Sequence, residues 1–217
     1  MNYAQARHNM VEGQIRTNKV TDPLIIEAME RLPRELFVPK PLRGVAYIDE
    51  DVELAPGRFL MEPMVLARLI QAAEIRRDEV VLDIGCATGY SSGCLAALAS
   101  TVVALESDAD LATRATALMG ELGIDNVAVV TGPLAEGYPA QSPYNVILFS
   151  GAISEIPANI CAQLAEGGRL VAVVVGEDRV GRATLVTRVG GGVSHRVLFE
   201  AGTPLLPGFQ RNPGFVF

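Results

Sequence analysis

The chain has no basic run. Its 18 lysines and arginines are outnumbered by 25 aspartates and glutamates, giving a formal net charge of −7. Without clustered cations to neutralise phosphates, a duplex nucleic-acid partner is not expected. Long apolar runs are missing too. Leu170-Val-Ala-Val-Val-Val175 is too short to span a bilayer, so no membrane partner is expected. No cationic start followed by an apolar segment is visible, and the expected location is cytoplasmic. The three cysteines, Cys86, Cys94 and Cys161, have neither metal-site spacing nor the even number of a disulfide framework. They suit small buried or turn positions in a reducing compartment, and no metal is expected. The two histidines, His8 and His195, are far apart and have no plausible serine or cysteine partner, so hydrolase chemistry has no support.

What is present is an ordinary globular composition. In 217 residues, 49% are hydrophobic and 20% charged, enough for a full core in one compact unit with a small N-terminal extension. Residues 1–63 read as a helical extension with a substrate-side loop, and residues 64–217 as the main domain. In the extension, Thr21-Asp22-Pro23 is a helix start. Leu24, Ile25, Ala28, Met29 and Leu32 then form an apolar face. Pro33, Pro39 and Pro41 end that helix and enforce an extended link. Asp49, Glu50, Asp51 and Glu53 read as a solvated acidic loop before an Ala55-Pro56-Gly57 turn. A further helix starts at Pro63.

From Val80 onward the pattern alternates. Strands are predicted at 80–84, 101–106, 127–131, 144–150 and 168–175, and helices at 90–99, 108–121 and 155–165. The strands are almost wholly apolar, as in a parallel sheet buried on both faces. Thr184–Val189 and Val193–Glu200, joined through Gly190-Gly191-Gly192, read as a closing hairpin. The predicted fold is α/β: a Rossmann-like, mostly parallel seven-stranded sheet with a C-terminal antiparallel hairpin, the class I methyltransferase arrangement.

The densest signal is Val80-Val-Leu-Asp-Ile-Gly-Cys-Ala-Thr-Gly-Tyr90. It reads as a strand ending in Asp83, a glycine turn and a helix start. The next strand ends in Glu106. Such a βαβ unit holds a nucleotide-like ligand at its strand ends. Gly85 and Gly89 permit a tight turn and close approach. Glu106 suits the two hydroxyls of a ribose. A dinucleotide turn carries a pyrophosphate at this place; Asp83 before the first glycine would repel one, which argues against a nicotinamide enzyme. It favours a ligand that brings cations and a ribose, and S-adenosylmethionine has an ammonium, a sulfonium and a ribose. On the bland alternative Asp83 only caps a helix, and Cys86 only fills space. Asp108 and Asp110 read as the first turn of a helix.

With these segments in view, the chain resembles the protein-L-isoaspartate O-methyltransferases over most of its length. Met10-Val-Glu-Gly-Gln-Ile-Arg16, Val20-Thr-Asp-Pro23, Leu32-Pro-Arg-Glu-Leu-Phe-Val-Pro39 and Ala46-Tyr47 carry the specific part of the likeness. Leu164-Ala-Glu-Gly-Gly-Arg-Leu-Val171 matches the approach to the fifth strand. The resemblance implies methyl transfer from S-adenosylmethionine to the α-carboxylate of isoaspartyl residues in a protein or peptide acceptor. It implies cofactor contacts at Asp83, Gly85, Cys86, Ala87, Gly89, Tyr90, Glu106, Ser107, Gly132, Pro133 and Leu134. Such an enzyme works mainly by alignment, since the carboxylate is already a nucleophile.

The sequence departs from the family at several points. The family's Thr-x-Ser-x-Pro segment is here Phe59-Leu60-Met61-Glu62-Pro63, so Met61 stands at the family serine with no hydroxyl to donate. Loss of one donor at a reacting oxygen costs about 10²–10³ in rate. Glu62 brings a carboxylate beside a carboxylate site. Arg58 is either a planar donor for the substrate carboxylate or a solvated surface cation. Ala87 replaces the middle glycine of the turn, a strain if that position needs positive φ. Gly132-Pro133-Leu134 lacks the aspartate expected to meet adenine, and Asn145 replaces an aspartate of the fourth strand. Two alternatives stay open: a methyltransferase with another acceptor, and a non-catalytic cofactor-binding module.

Overall fold

Residues 1–210 are described in a computed structural model. Helices α1 (Tyr3–Met10) and α2 (Pro23–Arg31) begin the chain. Asp22 caps α2, its carboxylate accepting from Leu24 N at 2.8 Å with Pro23 at the first turn. That is a helix start built from side-chain acceptance and a preset proline φ. A two-stranded antiparallel hairpin comes next, β1 (Val52–Ala55) and β2 (Arg58–Leu60), then α3 (Pro63–Ala73). The acidic stretch from Asp49 thus runs into a strand instead of staying a loop.

The main sheet holds β3 (Val80–Ile84), β4 (Thr101–Glu106), β5 (Val127–Thr131), β6 (Tyr144–Ile153), β7 (Leu164–Val175), β8 (Gly181–Val189) and β9 (Gly192–Glu200). Their order is β5-β4-β3-β6-β7-β8-β9. The first five pair in parallel, and β8 and β9 close the sheet antiparallel. Between them lie α4 (Tyr90–Ala96), α5 (Ala109–Glu121) and α6 (Ala158–Cys161).

The seven-stranded expectation matches this sheet. The helix predicted at 155–165 does not survive at that length. It is only four residues, because Leu164 already pairs with Tyr144 as β7 begins. Strand β7 accordingly starts at Leu164, ahead of the predicted 168, and β6 runs on to Ile153.

Each face of the sheet packs its own core. One core joins Val81, Val102, Val146 and Val171 to Met29, Phe37 and Leu66 of the N-terminal elements. The other joins Leu82, Val103, Ile147 and Leu170 to Tyr144, Phe149 and Leu206. Among the described residues, no helix is long and apolar enough to cross a membrane.

Candidate active site

Strand order places β3 and β4 side by side and parallel, so Asp83 and Glu106 emerge at the same sheet edge. Between them runs the turn from Gly85 to Gly89. Gly85 and Gly89 have φ of 81° and 92°, the left-handed values that favour glycine. Ala87 has φ 50°. The position does require positive φ, and a residue with a Cβ there costs on the order of 1 kcal/mol. Asp108 caps α5, accepting from Asp110 N and Leu111 N.

Asp83 is fully buried. Its Oδ2 accepts from Ser91 and Ser92 at 2.6 Å each, and its Oδ1 from Ser150 at 2.7 Å. Burial pushes its carboxyl up, while these three hydroxyls pull it down. Cys86 is buried in the turn. Burial, then the charges of Asp83 and Glu106, raise its thiol well above the ordinary range, so it stays protonated.

Glu106 is saturated. Its oxygens accept from Arg58 Nε at 3.2 Å, Arg58 Nη2 at 2.6 Å, Ala87 N at 2.7 Å, Ser107 N at 2.8 Å, Ser107 Oγ at 3.3 Å and Asp108 N at 3.1 Å. A carboxylate offers roughly four lone-pair positions. Arg58 also donates from Nη2 to Gly85 O at 2.8 Å. Arg58 is 3% exposed and Glu106 0%. The arginine is therefore neither on a substrate carboxylate nor in solvent, the two places the sequence suggests. It lies inside the turn, on the carboxylate assigned to a ribose.

The other residues of the expected set lie in several places. Tyr90 points into the N-terminal core, edge-on to Phe37 at 5.4 Å and under the Arg34 guanidinium at 4.7 Å. Gly132 N donates to Glu106 O, Pro133 leads into a short turn, and Leu134 is buried in the second core. Asn145 accepts from Val80 N, a structural bond at the start of β3. Met61 is buried, and its carbonyl accepts from Arg34 Nη2 at 2.8 Å. A residual cavity of about 10 Å³ lies among Phe59, Met61, Gly85, Cys86, Ser91 and Ser150. That is space for about one water.

Leu206 carries no signal in the sequence, and Asp51, read there as part of a solvated loop, is partly buried and bonded within the fold. Leu206 covers Gly85 and Gly151: a Cβ built on either glycine would meet Leu206 Cδ2 at 2.8 and 2.6 Å. Asp51 accepts from Glu62 N at 2.9 Å and from Thr203 Oγ1 at 3.1 Å.

Glu62 sits close to these acids. Burial first, then Asp51, Asp49 and Glu50, push its carboxyl up to about 7. A raised carboxyl binds its proton more tightly in the folded than in the unfolded chain, so folding loses stability as pH rises from about 4.5 to 7. Glu62→Gln is expected to raise the thermal midpoint by about 2 °C at pH 8, with the gain vanishing near pH 4.5. The effect is held to about 1 kcal/mol because the side chain is half-exposed and screened. Thermal scans at the two pH values check this, and an equal gain at both would remove charge as the cause.

Comparison with known proteins places this geometry. Residues 5–200 match the family model described as protein-L-isoaspartate(D-aspartate) O-methyltransferase. A protein-L-isoaspartate O-methyltransferase of Methanoculleus marisnigri is 39% identical over 184 residues, 85% of this chain and 84% of its own length. Protein-L-isoaspartate O-methyltransferase 1 of Rhodopseudomonas palustris is 36% identical, over 86% of this chain and 76% of its own. Among solved structures, a putative protein-L-isoaspartate O-methyltransferase of Plasmodium falciparum, in complex with S-adenosyl-L-homocysteine, is 21% identical. It superposes with a TM-score of 0.76 over 95% of this chain and 98% of its own, a likeness of fold. The chain belongs to the protein-L-isoaspartate(D-aspartate) O-methyltransferase family.

Proposed function

We propose that the chain is an S-adenosylmethionine-dependent methyltransferase whose acceptor is the α-carboxylate of isoaspartyl residues in proteins. One observation carries this within the family: two carboxylates, Asp83 and Glu106, end adjacent parallel strands and flank a turn with left-handed glycines. In residue type this set suits a ligand with cations and a ribose. When bound, S-adenosylmethionine supplies an activated, electrophilic methyl, and the acceptor carboxylate is already a nucleophile, so no group of the chain has to generate one. The chain's part is to orient and to exclude water. Gly85, Cys86, Ala87, Gly89 and Ser107 supply backbone at the turn, and Gly132, Pro133 and Leu134 follow β5, with Gly132 N on the Glu106 carbonyl. Met61, Phe59 and Cys86 give the small cavity there an apolar side that leaves room for about one water, in place of the hydroxyl donors the family carries there.

That apolar lining and the acidic neighbours of Glu62 favour a second reading, an acceptor other than an isoaspartyl carboxylate. The assay that separates the two is methyl transfer from labelled S-adenosylmethionine to an isoaspartyl peptide, with the aspartyl peptide as control. Selective, slow labelling of the isoaspartyl peptide is expected. Equal labelling of both peptides, or of neither, would remove the isoaspartyl assignment.

A further inference from the structure

The family's cofactor acid is occupied by the protein itself. We propose that Arg58 and Leu206 together form an internal occupant of the cofactor site, and that cofactor binds only to molecules in which both have withdrawn. The inference rests on the cofactor reading above and goes beyond it.

Hydrogen-bond accounting carries the first half. A ribose on Glu106 needs free acceptor capacity, and six donors already converge on that carboxylate. Three are backbone N–H groups fixed by the turn and by the start of α5. The displaceable pair comes from Arg58, which arrives on β2. Its planar fork presents two parallel donors, as two neighbouring hydroxyls would. Packing carries the second half. The space left open by the absent Cβ of Gly85 is taken by Leu206 at 2.8 Å and Arg58 Nη2 at 3.2 Å. At Gly151 the nearest side chain filling that space is again Leu206. The two glycines accommodate the chain's own side chains, and the cavity left among the site residues is about 10 Å³.

The two halves are joined. Leu206 is held by its N–H on Ala152 O at 2.8 Å and by Ala152 N on Pro204 O at 2.9 Å. One residue before Pro204, Thr203 donates to Asp51, which leads into the hairpin that carries Arg58. Withdrawal of this strap, residues 203–206, and of the hairpin therefore share a contact. A two-stranded hairpin has little stability of its own, so it is the element able to move. A closed form holding roughly 99% of molecules raises an apparent Kd roughly 100-fold.

Titration calorimetry with S-adenosylhomocysteine on the full chain tests this, for the unaltered protein, Arg58→Ala, Leu206→Ala and the double variant. Folding of each is checked by circular dichroism. Each single variant is expected to bind at least tenfold more tightly than the unaltered protein, and the double variant about 100-fold. Glu106 keeps its three backbone donors in Arg58→Ala. Should that variant unfold, Leu206→Ala, which leaves every charge in place, must still show the gain. Tight binding by the unaltered protein, changed less than twofold by either substitution, would overturn the proposal and leave the cofactor reading intact. Absence of binding by every folded variant would overturn the cofactor reading and the proposal with it.

Discussion

Glu106→Ala is expected to lower the unfolding free energy by about 3–5 kcal/mol in urea titrations at neutral pH. The size comes from what the carboxylate leaves behind. Arg58, 3% exposed in the unaltered fold, would keep Gly85 O as its one partner among the described residues. The N–H groups of Ala87, Ser107 and Asp108 would lose their shared acceptor at the same time. Arg58 and Ala87 are buried, and an unpaired buried donor costs roughly 1–3 kcal/mol, more for a charged one, whereas the exposed Ser107 can turn its N–H to water. Glu106→Gln keeps one acceptor oxygen and should cost less. A loss below about 1 kcal/mol for Glu106→Ala would mean that Arg58 escapes to solvent when its partner is removed. The hairpin would then be far more loosely held than its buried contacts imply.

Glu79→Gln is the second large effect, and it has a pH signature. Glu79, one residue before β3, is 2% exposed. Arg169 of β7 grips it with both terminal nitrogens, at 2.7 and 2.8 Å, and Arg76 adds its backbone and side-chain N–H. The same Arg169 donates to Ala73 O and Glu74 O, satisfying carbonyls at the end of α3. Burial alone would raise the Glu79 carboxyl. The bonds from Arg169 and Arg76 outweigh it and hold the group at about 2, against an ordinary 4.5. A depressed carboxyl stabilises the fold above its unfolded value, and the stabilisation is lost as pH falls through the folded value. At about 1.4 kcal/mol per unit, the substitution is expected to cost about 3 kcal/mol at pH 7. The difference between the two proteins should shrink steadily as pH falls from about 4.5 toward 2. A difference that stays constant over that range would mean the ion pair is not its source.

Local pattern made the parallel sheet, its strand-end acids and its closing hairpin legible, because buried parallel strands are short apolar runs and turns are marked by glycine. The helix expected at 155–165 is short for a tertiary reason. Leu164 is drawn into β7 by its pairing with Tyr144, and nothing local distinguishes it from a helical residue. The role of Arg58 was out of reach for the same kind of reason. Its partner lies 48 residues on, and only the placement of the hairpin against the turn brings the two within 2.6 Å. Leu206 is one leucine among many until the strap that carries it crosses Gly85 and Gly151. The strain at Ala87, in contrast, was visible as a residue out of place in a glycine turn, and its φ is 50°.

The hairpin has a further consequence, one of parity. Side chains alternate along a strand, so Arg58 and Leu60 share the buried face of β2 while Phe59 takes the other. Pro56 and Gly57 set the count between the strands, and an irregularity between Glu53 and Ala55 already offsets the register once. One residue gained or lost in that turn would turn Arg58 outward and present Phe59 to Glu106. The length of a surface turn thereby governs whether a buried carboxylate meets a cation or a ring, and an insertion there would rewire the interior without altering a single interior residue.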